Sequence, residues 1–241
     1  VTIKKSNELL VTVPIQIEYA NGNIETKLLT FKDKIYNVNI GNINEVKAVY
    51  LDRDYVSLRK LFKWEKPYTF NKILSSEPII VVPSENSPNY EISKKFYDEM
   101  VASGYKCDLV TSDKFSDIDI KNKSIIAIGN ISDNNAIKLL QASIPTEITL
   151  NNEEIKYSQG NIPIKESILM ANIEHPKNSE KFACIINFDQ IKTFDPLRRL
   201  FHYQSYSLAL LDVNKPGKPI FSTEIFPNAT DRSKQIIKFK K

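Results

Sequence analysis

Pro78-Ile79-Ile80-Val81-Val82-Pro83-Ser84-Glu85-Asn86-Ser87-Pro88-Asn89-Tyr90 is the stretch on which the fold turns. Ile79 to Val82 are four consecutive β-branched residues between prolines. A short continuous apolar run of this kind predicts a strand buried on both faces, as in a parallel sheet covered by helices. The polar loop Ser84–Asn89 follows, and Tyr90 to Ser103 then places Ile92, Phe96, Tyr97 and Met100 on one face of a helix. Gly104 stands where a helix-ending glycine belongs. Downstream the rhythm repeats. Cys107–Thr111 and Lys123–Gly129 read as strands, and a loop and a helix over Asn134–Ala142 come next. This β-α-β-β-α order predicts a doubly wound α/β core.

Working outward, the last third takes on an antiparallel character. Ile148–Leu150 and Glu154–Tyr157 form an expected hairpin across Asn151-Asn152. Ser167–Ile173 and Phe182–Asn187 read as strands and Ile191 to Phe201 as a helix. Tyr206–Asp212 and Lys218–Phe226 are expected to pair around Lys215-Pro216-Gly217. Toward the N-terminus, Val11, Val13, Ile15, Ile17 and Tyr19 alternate with polar residues and Pro14. That period predicts a half-buried strand, and Pro14 predicts that it lies at an edge or carries a bulge there. Asn21-Gly22 is a two-residue hairpin signal leading into Ile24–Phe31. Further short runs at Ile35–Ile40 and Val46–Leu51 complete a set of strands without an intervening amphipathic helix. The expected architecture is therefore all-β followed by α/β. A small antiparallel, immunoglobulin-like β-sandwich at 1–63 leads through a linker at 64–76 to a doubly wound α/β domain at 77–241 with an antiparallel C-terminal extension. Trp64, the single tryptophan, is expected to pack at the junction.

Composition narrows the function. The chain has 241 residues, 41% hydrophobic and 26% charged, which excludes a disordered tail or a fibre. The formal net charge is only +4, and the basic residues are interleaved with acidic ones except in the tail Lys234, Lys238, Lys240, Lys241. A clustered basic stripe with stacking aromatics is missing, so nucleic acid is not an expected partner. No apolar run approaches the ~20 residues of a membrane-spanning helix. The start, Val1-Thr2-Ile3-Lys4-Lys5, carries neither an initiator Met nor a signal-like apolar stretch, so a processed or excised chain is expected. The compartment stays open between bacterial cell envelope or secreted and cytoplasmic. Cys107 and Cys184 lie among strand-like apolar residues, which predicts buried free thiols, with one disulfide as the alternative. The sequons at Asn122, Asn130 and Asn228 are ascribed to an Asn-rich composition.

Candidate chemistry is sparse. The two histidines, His175 and His202, stand far apart in sequence, so isolated surface or helix-end imidazoles are expected rather than a metal site joining them to Asp189 or Asp195. Cys184 sits in an apolar strand, where a thiolate is disfavoured. Asp52/Asp54, Asp117/Asp119 and Glu153/Glu154 occupy polar turns and read as solvated charges rather than acid/base pairs. One ligand crevice is expected. The loop Ser84–Asn89 lies between a buried strand and a helix, where doubly wound folds bind anions, and Gly129-Asn130 supplies a second loop on the same edge. The candidate ligand-binding residues are Ser84, Glu85, Ser87, Gly129 and Asn130, although the first loop contains no glycine for close backbone approach.

Two stretches carry a family likeness. Val13-Pro14-Ile15-Gln16-Ile17 with its glycine-containing hairpin, and Val46-Lys47-Ala48-Val49-Tyr50-Leu51-Asp52-Arg53-Asp54, resemble the small β-sandwich that follows the catalytic domain in aminopeptidase N type zinc metallopeptidases. Arg53 stands where that family usually has Pro. The remainder resembles α/β domains appended to large bacterial peptidases and hydrolases, through Ile125-Ile126-Ala127-Ile128-Gly129-Asn130 with Asn134 or Asn135 downstream, and His175-Pro176-Lys177-Asn178. The family's His-Glu-x-x-His zinc motif does not occur in this chain. The resemblance implies a non-catalytic C-terminal region that buttresses a catalytic domain and shapes substrate access. Any zinc would belong to the parent protein, and the partner would be a catalytic domain of the same polypeptide or of another protein. The alternative is a free-standing binding module for a small molecule or a protein, using the α/β crevice.

Overall fold

The computed structural model describes residues 1–5, 8–54, 56–57, 66–116, 121–144, 148–215, 217–225 and 237–238. The fold is mixed, with strands in several sheets and few helices. It divides into two compact units, Val1–Lys66 with Pro227–Lys241, and Pro67–Phe226.

In the first unit β1 (Thr2–Lys4) pairs antiparallel with β4 (Ile35–Asn37), while β2 (Val11–Tyr19), β3 (Ile24–Phe31), β5 (Val46–Leu51) and β16 (Ile237–Lys238) form a sheet in the order β16-β5-β2-β3. The period-2 alternation of β2 points Val13, Ile15 and Ile17 into a core that also holds Ile3, Phe31, Val38, Ile40, Val46 and Val49. Both sheets thus feed one cluster. Burying each such side chain contributes about 1.5–3 kcal/mol.

Three expectations for this unit are made specific by the structure. β2 as a whole lies between β3 and β5, yet Val11–Pro14 pair with β3 alone, so Pro14 stands where the β5 side of the strand is open. Its missing N–H is tolerated because the β2–β5 ladder begins at Ile15↔Leu51, so the Pro14 nitrogen falls at the ladder's end. There the Pro14 carbonyl accepts from Asp52 N–H at 2.8 Å. The hairpin loop is wider than two residues, since Tyr19 N–H bonds the Asn23 carbonyl at 2.9 Å around Ala20, Asn21 and Gly22. Gly22 takes φ +87°, the left-handed position that such a three-residue loop requires. Finally, the run at Ile35–Ile40 pairs with β1 through Asn37 and, beyond it, Val38, which exchanges backbone hydrogen bonds with Val1 (2.7 and 3.0 Å), while Asn39 and Ile40 lie past the pairing.

The second unit is built on a seven-stranded sheet. Its strands are β6 (Ile79–Val82), β7 (Asp108–Thr111), β8 (Ile125–Gly129), β12 (Ser167–Glu174), β13 (Phe182–Asn187), β14 (Leu208–Asp212) and β15 (Pro219–Thr223), in the order β15-β14-β12-β13-β8-β6-β7. The block β13-β8-β6-β7 is parallel, and β12, β14 and β15 add antiparallel neighbours. Both faces are covered, which explains why the strands read as unbroken apolar runs. On one face Ile80, Val82, Ile126, Ile128, Cys184 and Ile186 pack with Phe96 and Met100 of α2 (Tyr90–Ala102). On the other, Val81, Ala127 and Ile185 pack with Ile137 and Leu140 of α3 (Asn135–Leu140), and with a small antiparallel sheet of β9 (Thr149–Leu150), β10 (Glu154–Tyr157) and β11 (Gly160–Pro163).

The unit boundaries also differ from expectation. The stretch expected as linker contains α1 (Phe70–Leu74), whose Phe70, Ile73 and Leu74 are buried in the second unit's core. At the far end, β16 pairs with β5, so the first unit includes residues from the end of the chain. Trp64 lies outside the described residues. The long helix expected over Ile191–Phe201 is confined to α4 (Asp195–Arg198) and a 3-10 turn at Arg199–Tyr203. Pro196 is the reason, because it lacks the N–H that a helix interior needs and is accommodated at the first turn.

Candidate functional site

β6 lies between β7 and β8 in the sheet. The chain leaves β6 through α2 to reach β7 on one side, then returns to β8 on the other. The carboxyl ends of β6 and β8 therefore flank the position where open parallel sheets hold their ligands.

Here the loops are tied to each other by the chain's own side chains. Asp133 Oδ2 accepts from Ser87 Oγ at 2.5 Å and from Asn89 Nδ2 at 2.9 Å. Its Oδ1 accepts the Asn130 backbone N–H at 3.0 Å. Asn89 Oδ1 in turn accepts Gln190 N–H at 2.8 Å, which brings in the loop after β13. Asn187, at the end of β13, accepts Ile131 N–H at 2.9 Å. Three donors that could meet an external anion thus meet an internal carboxylate, and such charge-assisted bonds are stronger than neutral ones.

Beneath this network Asn134 joins the strands to α3. Its Oδ1 caps the helix by accepting Ala136 N–H at 2.9 Å, and its Nδ2 donates to the carbonyls of Val81 (2.8 Å) and Ile128 (2.9 Å). Ser112 Oγ accepts Asn135 N–H at 2.7 Å, adding the loop after β7. Gly129 takes φ +130°, and a Cβ placed on it would lie 2.5 Å from Pro83 Cγ.

Of the five candidate residues, Ser87 and Asn130 are brought together through Asp133. Gly129 lies under them against Pro83. The Ser84 carbonyl accepts Ser87 N–H at 2.9 Å and closes the turn, while Glu85 is exposed. Sequence reasoning missed Asn89, Asp133 and Asn187. The usable signal was the Asn130-x-x-Asp133-Asn134 spacing after an apolar strand, a combination of turn and helix-cap residues. Asp133→Ala is expected to lower the stability of this unit by about 2 kcal/mol, because Ser87, Asn89 and Asn130 lose a shared acceptor. Urea unfolding followed on the methyl signals of Met100 and Met170, both in this unit's core, measures it. An unchanged midpoint would mean that the carboxylate does not hold the loops.

The other candidates resolve individually. His175 is buried, and its Nδ1 accepts the backbone N–H groups of Lys177 (3.2 Å) and Asn178 (2.9 Å), so that lone pair is engaged within the protein. His202 is exposed in the 3-10 turn. Among the described residues no group of three or more His, Cys, Asp or Glu side chains is placed to hold a metal ion. Asp195 is held below the usual carboxylate range by its hydrogen bond from Arg198 and by the charge of Arg199. Cys184 is fully buried in β13, and burial pushes its thiol up, away from the nucleophilic thiolate. Cys107 is likewise a free thiol, half-buried, and raised by burial.

Asp52 is not the solvated charge expected of it. It is only 1% exposed, and its Oδ1 accepts the N–H groups of Val56 (2.9 Å) and Ser57 (3.2 Å), while Asp54 accepts from Gln16 Nε2 at 2.7 Å. The two carboxylates serve different partners. Glu154 accepts from Asn161 and pairs with Lys156. Asp117/Asp119 lie outside the described residues.

A surface groove of 980 Å³ runs along α2 and is lined by Glu91, Lys94, Lys95, Asp98, Ile191 and Phe194 among others. Lys95 Nζ stands 5.3 Å from the centre of the Phe194 ring, and Lys94 pairs with Asp98 at 3.3 Å. Among the described residues no helix is long and apolar enough to cross a membrane. No protein-family model matches the chain, and no curated protein matches it.

Proposed function

We propose that this chain is a non-catalytic C-terminal region of a bacterial zinc aminopeptidase-like protein. Its first unit is an immunoglobulin-like sandwich, and its second is a doubly wound α/β domain with an antiparallel extension. It buttresses a catalytic domain, of the same polypeptide or of another protein, and shapes substrate access. Zinc and the peptidase chemistry belong to that parent. The observation supporting a scaffold role is the Asp133 carboxylate, which takes up Ser87, Asn89 and Asn130 at the edge where this architecture would otherwise bind a ligand. A crevice whose donors are already paired to an internal anion gives an external anion little to gain.

The alternative, a free-standing binding module, is favoured by the position of that crevice at the strand-order reversal. Melting temperatures separate the two. With inorganic phosphate, AMP or a dicarboxylate at millimolar concentration, the scaffold reading expects no shift beyond that given by sodium chloride at equal ionic strength. A saturable rise with one of them, by mass action on the folded state, would replace it with the binding module.

A further inference from the structure

His175 follows the last residue of β12 and opens the loop that leads into β13. Its ring is 3% exposed, and Nδ1 is the shared acceptor for the N–H groups of Lys177 and Asn178. A nitrogen accepting two N–H groups carries no proton of its own, so the imidazole is neutral with its proton on Nε2. The rest of the loop hangs from this turn. Asn178 Oδ1 accepts Glu180 N–H at 3.0 Å, and the Asn178 carbonyl accepts Lys181 N–H at 3.0 Å. Asn178 Nδ2 donates to the Lys121 carbonyl at 2.8 Å, which ties the loop to the segment ahead of β8.

We propose that the Pro176–Lys181 loop is an acid-opened latch, in which protonation of His175 Nδ1 turns a shared acceptor into a donor facing two donors and releases the loop from the amino edge of β8 and β13. The surroundings oppose the extra charge. Charged side chains on the elements packed here are Lys177, Glu180 and Lys181 of the loop, Glu174 at the end of β12, and Lys121 and Lys123 ahead of β8. Burial holds the imidazole below its ordinary 6.5, and the nearby Lys181 charge works in the same direction, while the Lys123 backbone works against them. Well above pH 6.5 neither the closed nor the open loop binds a proton at this ring, and the closed form has its full stability. As pH falls below 6.5 the open form takes up the proton first, so the closed form loses ground until the pH passes the folded value. Opening frees a loop bearing Lys177 and Lys181 and exposes the Lys121 carbonyl.

The test is a titration of the intact chain by NMR from pH 7.5 to 4.5, which is simple because there are only 2 histidines. The expected result has three parts. One imidazole titrates below 6.5, the protection factors of the Lys177 and Asn178 amides fall about tenfold for each pH unit below the ordinary value until the folded one is reached, and the β13 amides of Ile185 and Ile186 keep theirs. In His175→Gln the loop amides show no such pH dependence. Titration of His175 with the loop amides still protected would overturn the latch. So would loss of β13 protection in parallel, which is global acid unfolding. A fall of the same size in His175→Gln would overturn it too. If that variant does not fold, the wild-type amide and imidazole curves decide by themselves.

Discussion

Asn134→Ala is expected to lower the unfolding free energy of the second unit by about 4 kcal/mol, from the combined loss of a helix cap and of donors to two buried carbonyls. The side chain is fully buried and makes three bonds at once: it accepts from Ala136 N–H and donates to Val81 and Ile128. Those carbonyls sit in the adjacent parallel strands β6 and β8, where water has no access to replace the lost donor. Asn134→Ser separates the contributions. Serine can still cap α3 but cannot reach both strands, so it should recover only about 1 kcal/mol. Urea unfolding read on the Met100 and Met170 methyl signals reports this unit alone. A loss under 1 kcal/mol in the alanine variant would show that the two carbonyls find other donors.

The second large effect is expected at Gly129. Two costs add there, since φ +130° is closed to residues with a Cβ and the new methyl would meet Pro83 Cγ at 2.5 Å. Backbone strain of about 1–3 kcal/mol and overpacking of similar size give roughly 3 kcal/mol for Gly129→Ala. Gly104→Ala is the matched control, because Gly104 has φ +87° but open space around it. It should lose only about 1 kcal/mol. Equal losses at the two positions would mean that Pro83 moves aside and that the close approach of the two loops is not fixed.

The contrast between these two glycines illustrates what the amino-acid sequence can reveal. A helix-ending glycine such as Gly104 is legible from its neighbours, because the amphipathic period before it stops there. Gly129 can be placed at the end of a strand, but its contact with Pro83 joins residues far apart in the chain. The same division runs through the fold. β6, β8 and β13 are plain as apolar runs because both sheet faces are covered, and α2 is plain from its periodicity. Short elements fixed by distant partners are not. β1 has three residues and needs β4 to form, α1 has five residues between Pro67 and Pro78, and β16 pairs Ile237 with Val49, far back in the chain. Within the site, the loops were legible and the residue that joins them was not. Asp133 reaches Ser87 and Asn89 across 46 and 44 positions, and only the reversal of strand order brings them together. Asp52 is illegible for a related reason, since a carboxylate that caps its own following turn needs no solvent.

The role proposed for these residues turns on what the chain belongs to. The most direct test is an immunoblot of source cells with an antibody raised to this chain, followed by a peptidase assay of the captured protein. A band well above 27.6 kDa, carrying aminopeptidase activity that a chelator abolishes, is the predicted result. A band at 27.6 kDa with no larger precursor, and no peptidase among the proteins captured with it, would contradict the proposal and leave the chain to be understood as a binding module in its own right.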